Sequence, residues 1–357
     1  MTLKLPDFPW DALAPFSARA SKHSGGLIDL SQGTPVDPTP EFIQSALRES
    51  ANSPSYPVTI GTPQLREAMR NWAIKTLGAS GEFDVLPTIG SKELVAWLPS
   101  ILRAKTVLYP KVAYPTYLVG AMIHGSEAIA VDIDASTWPK SDLAWINSPS
   151  NPTGRVHSES ELAAAISYAR ANNSLVVSDE CYISFPASGP APVSILKLAA
   201  GNNKNLIAVH SMSKRSNLAG YRAGLIVGDP EVISQIREVR KHAGMLVPLP
   251  IQRAMTAALG DEVHVTEQAE RYAKRRNLLS SALIKAGFKI DFSVAGLYIW
   301  CTRGEDSWES VSWLADLGIL ATPGIFYGQA GSQHIRIAMT ATDSQIADAA
   351  DRILKNI

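Results

Sequence analysis

Between residues 55 and 247 short apolar runs alternate with segments of helical period. TVLY (106–109), EAIAVD (127–132), LAWIN (143–147), SLVVSD (174–179), LIAVH (206–210) and GLIVG (224–228) predict six strands. Several are continuous apolar runs without alternation, the pattern of strands covered on both faces. Between two of them Ser158 and Glu161 form a capping box ahead of ELAAAISYAR, which predicts a helix there. Strand, helix, strand in this order implies right-handed crossovers and a mostly parallel sheet. Upstream, LSQGTPVDPTP (30–40) predicts a loop and residues 41–50 a helix. After about Pro248 the pattern turns helical, with a long helix from near His264 to Ala286 stopped by Gly287. A strand (GLYIWCT), a helix (SWESVSWLADLG), a strand (HIRIAMT) and a final helix follow. The expected class is α/β, with a large domain over residues 50–250 whose mostly parallel sheet lies between helices. Residues 1–49 and 251–357 are expected to form a smaller α+β domain.

A length of 357 residues agrees with two cores rather than one. Lys plus Arg number 33 and Asp plus Glu number 33, so the chain has neither the basic footprint of a nucleic-acid binder nor a polybasic membrane surface. No apolar run approaches the ~18 residues of a membrane span, and MTLKLPDFPWD lacks the apolar core of a signal peptide. Two cysteines, Cys181 and Cys301, make no disulfide framework, and the seven histidines show no metal spacing. A cytoplasmic location and no metal are expected.

In open α/β sheets ligands bind at the carboxyl ends of the strands. LAWIN is followed by SPSNPTG, which places Asn151 in a Pro-flanked turn. SLVVSD ends on Asp179, with Glu180, Cys181 and Tyr182 next. LIAVH runs into SMSKRSNLAGYRAG, which holds Ser211, Ser213, Lys214 and Arg222. GSKEL (90–94) opens an apolar helical stretch, so Ser91 and Lys92 present free backbone N–H groups to an anion.

These residues suit one ligand, pyridoxal 5′-phosphate. Its phosphate fits the amides of Ser91 and Lys92, the hydroxyls of Ser211 and Ser213 and the guanidinium fork of Arg222. Its ring nitrogen stays protonated only beside a carboxylate, which Asp179 supplies at a buried strand end. Its phenolate-like oxygen needs donors, and Asn151 and Tyr182 qualify. Tyr114, in AYPTY, can stack on the ring face. Lys214 is the amine that condenses with the aldehyde. Arg222, the ring cation and desolvation would depress its pKa for that work.

Singly, each of these residues has a plain structural explanation: a surface lysine, a helix-capping aspartate, an Asx turn at NPTG. Their common order at the strand ends argues beyond it. The bland reading is kept for Cys181 as packing and for Trp300, Trp308 and Trp313 as small-domain core. It is kept too for YAKRR (272–276) as the solvated face of a long helix. Arg215 has two readings, a contact to a second substrate carboxylate or an ion pair.

NPTG, then D-x-x-Y, S-x-S-K and G-Y-R together resemble the class I/II aminotransferases of fold type I, over nearly the whole chain. The resemblance implies a ping-pong transfer of an amino group between amino-acid and 2-oxo-acid substrates. It also implies three further roles: Gly33 of SQGTP near the substrate carboxylate, Arg336 of HIRIAMT holding it, and Tyr56 reaching the phosphate in the partner subunit's site of a homodimer. GSKELVAWLPS, SKRSNLAGYRAG, DEVHVTEQAERYAKRR and GILATPGIFYGQAGSQHIRIAMTATD are similar to actinobacterial N-succinyldiaminopimelate aminotransferases of lysine biosynthesis. The implied pair is N-succinyl-LL-2,6-diaminopimelate and 2-oxoglutarate. Alternatives are an aminotransferase of the aspartate or LL-diaminopimelate type, or a carbon–sulfur β-lyase on the same cofactor. A ligand-sensing regulator would need a DNA-binding domain for which the chain has no room.

Overall fold

The structure is a computed structural model and describes residues 4–188 and 191–357. Its first strand is the two-residue β1 (Ile28–Asp29). Seven strands then build the large sheet: β2 (Asp84–Ile89), β3 (Thr106–Pro110), β4 (Glu127–Val131), β5 (Leu143–Asn147), β6 (Leu175–Asp179), β7 (Leu206–Ser211) and β8 (Ala223–Gly228). Their order is β2-β8-β7-β6-β5-β3-β4. The run from β7 to β4 is parallel, and β8 is antiparallel to both its neighbours. The six expected strands are all present. β2 is a seventh, at the sheet edge, where Pro87 needs no ladder N–H on its open side.

Every residue of β5, β6, β7 and β8 is buried, because helices cover both faces of the sheet. Alternate side chains feed two cores: Ala144, Ile146 and Val176 on one face, Leu143, Trp145 and Val177 on the other. The helix Glu159–Asn172 carries the expected capping box, with both reciprocal bonds between Ser158 and Glu161 formed. The helices Glu41–Glu49 and Leu249–Leu259 bring Ile43, Ala254 and Met255 into the first of these cores.

The smaller lobe is a second sheet made of β9 (Lys289–Ile290), β10 (Tyr298–Thr302), β12 (Thr322–Pro323) and β13 (Ile335–Ala338), in the order β12-β13-β10-β9. β1 pairs in parallel with β11 (Ile319–Leu320), which ties the N-terminal segment to this lobe. The helices Val263–Lys285, Ser307–Asp316 and Asp343–Leu354 close its core. Gly287 (φ 86°) follows the first of them and permits the left-handed turn that ends it.

YAKRR departs from its expected solvated face. Tyr272, Arg275 and Arg276 are buried and only Lys274 of the basic trio is exposed. Arg275 pairs with Asp37 and Asp343. Arg276 donates to the carbonyls of Ser293, Gly296 and Tyr298. Each guanidinium reaches several acceptors, which offset the cost of leaving water. Among the described residues no helix is long and apolar enough to cross a membrane.

Candidate active site

β5, β6 and β7 end at one edge of the large sheet, on Asn147, Asp179 and Ser211. β8 runs the other way, so Arg222, which precedes it, arrives at the same edge. β2 also ends there, and the helix Gly90–Leu102 starts directly after it. A cavity of about 750 Å³ lies over this edge. Ser91, Lys92, Tyr114, Asn151, Asp179 and Tyr182 line it. So do Ser211, Ser213, Lys214, Arg222, Gly33 and Arg336. Tyr56 does not: it stands on the surface, 95 % exposed.

The anion end of the cavity is the first turn of the helix Gly90–Leu102. No side chain caps that turn, so its amides are free. Gly90 (φ 69°) has no room for a side chain, since a Cβ would come within 2.6 Å of the Arg222 guanidinium. Ser211 accepts from the Ser213 N–H at 3.1 Å and so opens the short helix Met212–Arg215. Lys92 sits at the rim with its ammonium over the Phe8 ring.

Asp179 is buried in the wall of the same cavity. Its Oδ2 accepts from the Tyr117 hydroxyl at 2.8 Å and its Oδ1 from the Cys181 N–H at 3.2 Å. Burial raises its pKa, and those two bonds oppose the rise. Asn147 fixes the adjacent turn: its Nδ2 donates to the carbonyls of Asp179 and Pro149, and its Oδ1 accepts from the Asn151 N–H. Tyr114 is pushed up to about 12 by burial and stays a neutral ring wall.

Lys214 lines the same cavity. Burial lowers its pKa to about 8, and the charges of Arg336 and Arg222 push the same way. The second cation is Arg336, from the other lobe.

Arg336 is buried on β13, only 3 % exposed. Its Nη1 donates to Asn151 Oδ1 at 2.9 Å and its Nη2 to the Ser31 carbonyl. The rings of Tyr298, Tyr327 and Trp10 surround the guanidinium. Its Nε has no partner, and among the described residues no carboxylate pairs with it. Such a cation on a cavity wall calls for an anionic ligand.

Several residues of the site were not foreseen: Tyr117 behind Asp179, and others that line the cavity itself. Tyr117 follows Tyr114 by three positions in AYPTY, and its polar tip was the available signal. Tyr298 shares a strand face with Trp300, whose cross-strand partner is Arg336. Leu5, Phe8 and Trp10 form one wall of the cavity, and nothing in their pattern points there. Cys181, read as packing, lies in the cavity wall. Arg215 takes the ion-pair reading: it meets Glu262 at 2.7 Å, away from the cavity.

The residues fit pyridoxal 5′-phosphate: free amides beside a guanidinium, a lysine amine disfavoured as an ammonium, and a buried carboxylate lie along one cavity. The family profile "Aminotransferase class I and II" matches residues 26–353. The chain is 49 % identical, over 98 % of its length and 99 % of the relative's, to the 4-dedimethylamino-4-oxo-anhydrotetracycline transaminase of Streptomyces rimosus. It is 49 % identical, over 99 % and 86 %, to a probable aminotransferase of Mycobacterium tuberculosis. A probable N-succinyldiaminopimelate aminotransferase from Thermus thermophilus shares the fold with a TM-score of 0.89, 26 % identity and coverage of 98 % and 100 %.

Proposed function

The chain belongs to the class I and II aminotransferases, and on that premise we propose that it moves an amino group between N-succinyl-LL-2,6-diaminopimelate and 2-oxoglutarate. Arg336 is the observation that carries the amino-acid side of this reading. It is a buried guanidinium without a carboxylate of its own, sharing a cavity with Lys214. The likeness to the Thermus thermophilus protein supports the particular substrate. A second reading has separate support. The Streptomyces rimosus relative carries a 4-oxo-anhydrotetracycline in its name, and the wall of Leu5, Phe8, Trp10 and Phe326 is apolar. A bulky carbonyl compound is therefore the alternative acceptor.

When bound, pyridoxal 5′-phosphate supplies an aldehyde that condenses with amines and a ring that withdraws electrons from the substrate. The side chains do the rest. Ser91, Lys92, Ser211, Ser213 and Arg222 hold the phosphate. Asp179 keeps a proton on the ring nitrogen, and Tyr117 holds Asp179. Asn151 and Tyr182 donate to the ring oxygen, and Tyr114 covers a ring face. Arg336 orients the substrate α-carboxylate, and Gly33, without a side chain, leaves it space. Lys214 would be the amine that condenses with the aldehyde and, when free, the base that carries the proton from the substrate Cα. Two protomers form the working unit, with Tyr56 of each reaching the other's phosphate. Its full exposure in the single chain supports this.

The test is a half-reaction panel. The loaded enzyme is mixed with each donor, and the loss of its visible absorbance is followed. N-succinyl-LL-2,6-diaminopimelate should react fastest. Faster turnover of aspartate or aromatic amino acids would sink the substrate assignment. Pyruvate and ammonia released from cystathionine without an acceptor would mark a β-lyase instead.

A further inference from the structure

Tyr298 stands in the site, and the chemistry above leaves it unused. Its hydroxyl is 3.0 Å from that of Tyr182. Its ring lies against Arg336, 4.0 Å from the guanidinium carbon. Its carbonyl accepts from Arg276 at 3.0 Å, and its backbone pairs with Ala338 across β10 and β13. Gly33 packs on its hydroxyl so closely that a Cβ there would overlap the oxygen. A phenylalanine would fill the same space, so packing does not account for a hydroxyl aimed at Tyr182.

We propose that Tyr298 is a positioning residue with two separable jobs. Its hydroxyl donates to the Tyr182 oxygen and so strengthens the bond Tyr182 gives to the ring oxygen of pyridoxal 5′-phosphate. Its ring holds Arg336 in line for the substrate carboxylate. The inference rests on the assignment of Tyr182 to that ring oxygen. Tyr182 has one proton to give. Once that proton goes to the cofactor, its lone pairs accept from Tyr298, and the relay polarises along its length. The ring oxygen then carries its negative charge more easily. A proton shared with that oxygen leaves at lower pH.

Arg336, Cys181, Tyr114, Tyr327 and Tyr272 face this pair from the elements packed round it. Burial pushes the thiol and the three phenols up, so none of them changes charge near neutral pH. Lys214, also nearby, is itself joined to the cofactor in the loaded enzyme. The pH midpoint of the visible absorbance therefore reports on the relay.

The experiment titrates that absorbance in the loaded wild type, Tyr298→Phe, Tyr182→Phe and the double variant. Tyr298→Phe should raise the midpoint by about half a pH unit, roughly a threefold gain in proton affinity. Tyr182→Phe should raise it further, and adding Tyr298→Phe to it should change nothing. KM for the amino donor should hold in Tyr298→Phe, which keeps the ring. It should rise about tenfold in Tyr298→Leu, which loses it, with Tyr298→Met as a second variant should Leu not fold. A wild-type midpoint in Tyr298→Phe, or a shift that persists without the Tyr182 hydroxyl, overturns the relay. An unchanged KM without the ring overturns the second job. An unmoved midpoint in Tyr182→Phe refutes the Tyr182 assignment itself and the relay with it. Failure of the wild type to load at all refutes the proposed function instead.

Discussion

Lys214 sits where an ammonium is poorly tolerated, half-buried and facing two guanidinium groups. Its free-base form therefore dominates above about pH 8 rather than above 10.5. The rate at which apo-protein takes up pyridoxal 5′-phosphate should climb with a midpoint near pH 8. Arg336→Gln removes a repelling charge and should move that midpoint upward, as stopped-flow absorbance against pH would show. Lys214→Ala should lose turnover by at least about a thousandfold, because it removes both anchor and proton carrier, while cofactor still binds through the phosphate contacts. At this scale the sequence was legible wherever a chemical group closed a strand or came within a few residues of its end: Asp179 and Ser211 close theirs, and Asn151 and Lys214 follow shortly after. Tyr298 and Tyr117 lacked that cue. Their rings are packed in apolar surroundings, and only the hydroxyl tips could have marked them.

Elements explain what single residues do not. Arg222 lies at the cofactor edge because β8 reverses direction, which places the residue before a strand where the others follow one. β2 escaped the apolar pattern because an aspartate and a proline interrupt it, both tolerable on an edge strand. The misjudged YAKRR face has a physical cause too. Helical spacing tells which residues share a side, and a long guanidinium on that side can still turn inward to carbonyls. Arg276→Ala would take the donor from the carbonyls of Ser293, Gly296 and Tyr298, and we expect a loss of about 3 kcal/mol in urea unfolding. Ser158→Ala, which removes one half of a surface capping box, should cost only about 1 kcal/mol in the same measurement.

For the whole molecule, the site joins two lobes. Asn151 on the large lobe accepts from Arg336 on the small one, so the role proposed for Arg336 would couple substrate binding to lobe placement. If Tyr56 completes the partner's site, two defective subunits can repair each other. Tyr56→Ala and Lys214→Ala, each nearly inactive, should regain about a quarter of wild-type activity when refolded together, since random pairing leaves one intact site in half the dimers. No recovery on mixing would place Tyr56 outside the site.

The apolar wall at Leu5, Phe8 and Trp10 has a consequence for how such an enzyme diversifies. It is one uninterrupted stretch of chain, remote in sequence from Lys214, Asp179 and Arg222. On the proposed reading, and Phe326 apart, substrate scope would thereby be separated from chemistry in the gene itself. A mutational library confined to six consecutive codons, 5 to 10, could explore new acceptors while every proton-moving group stays untouched.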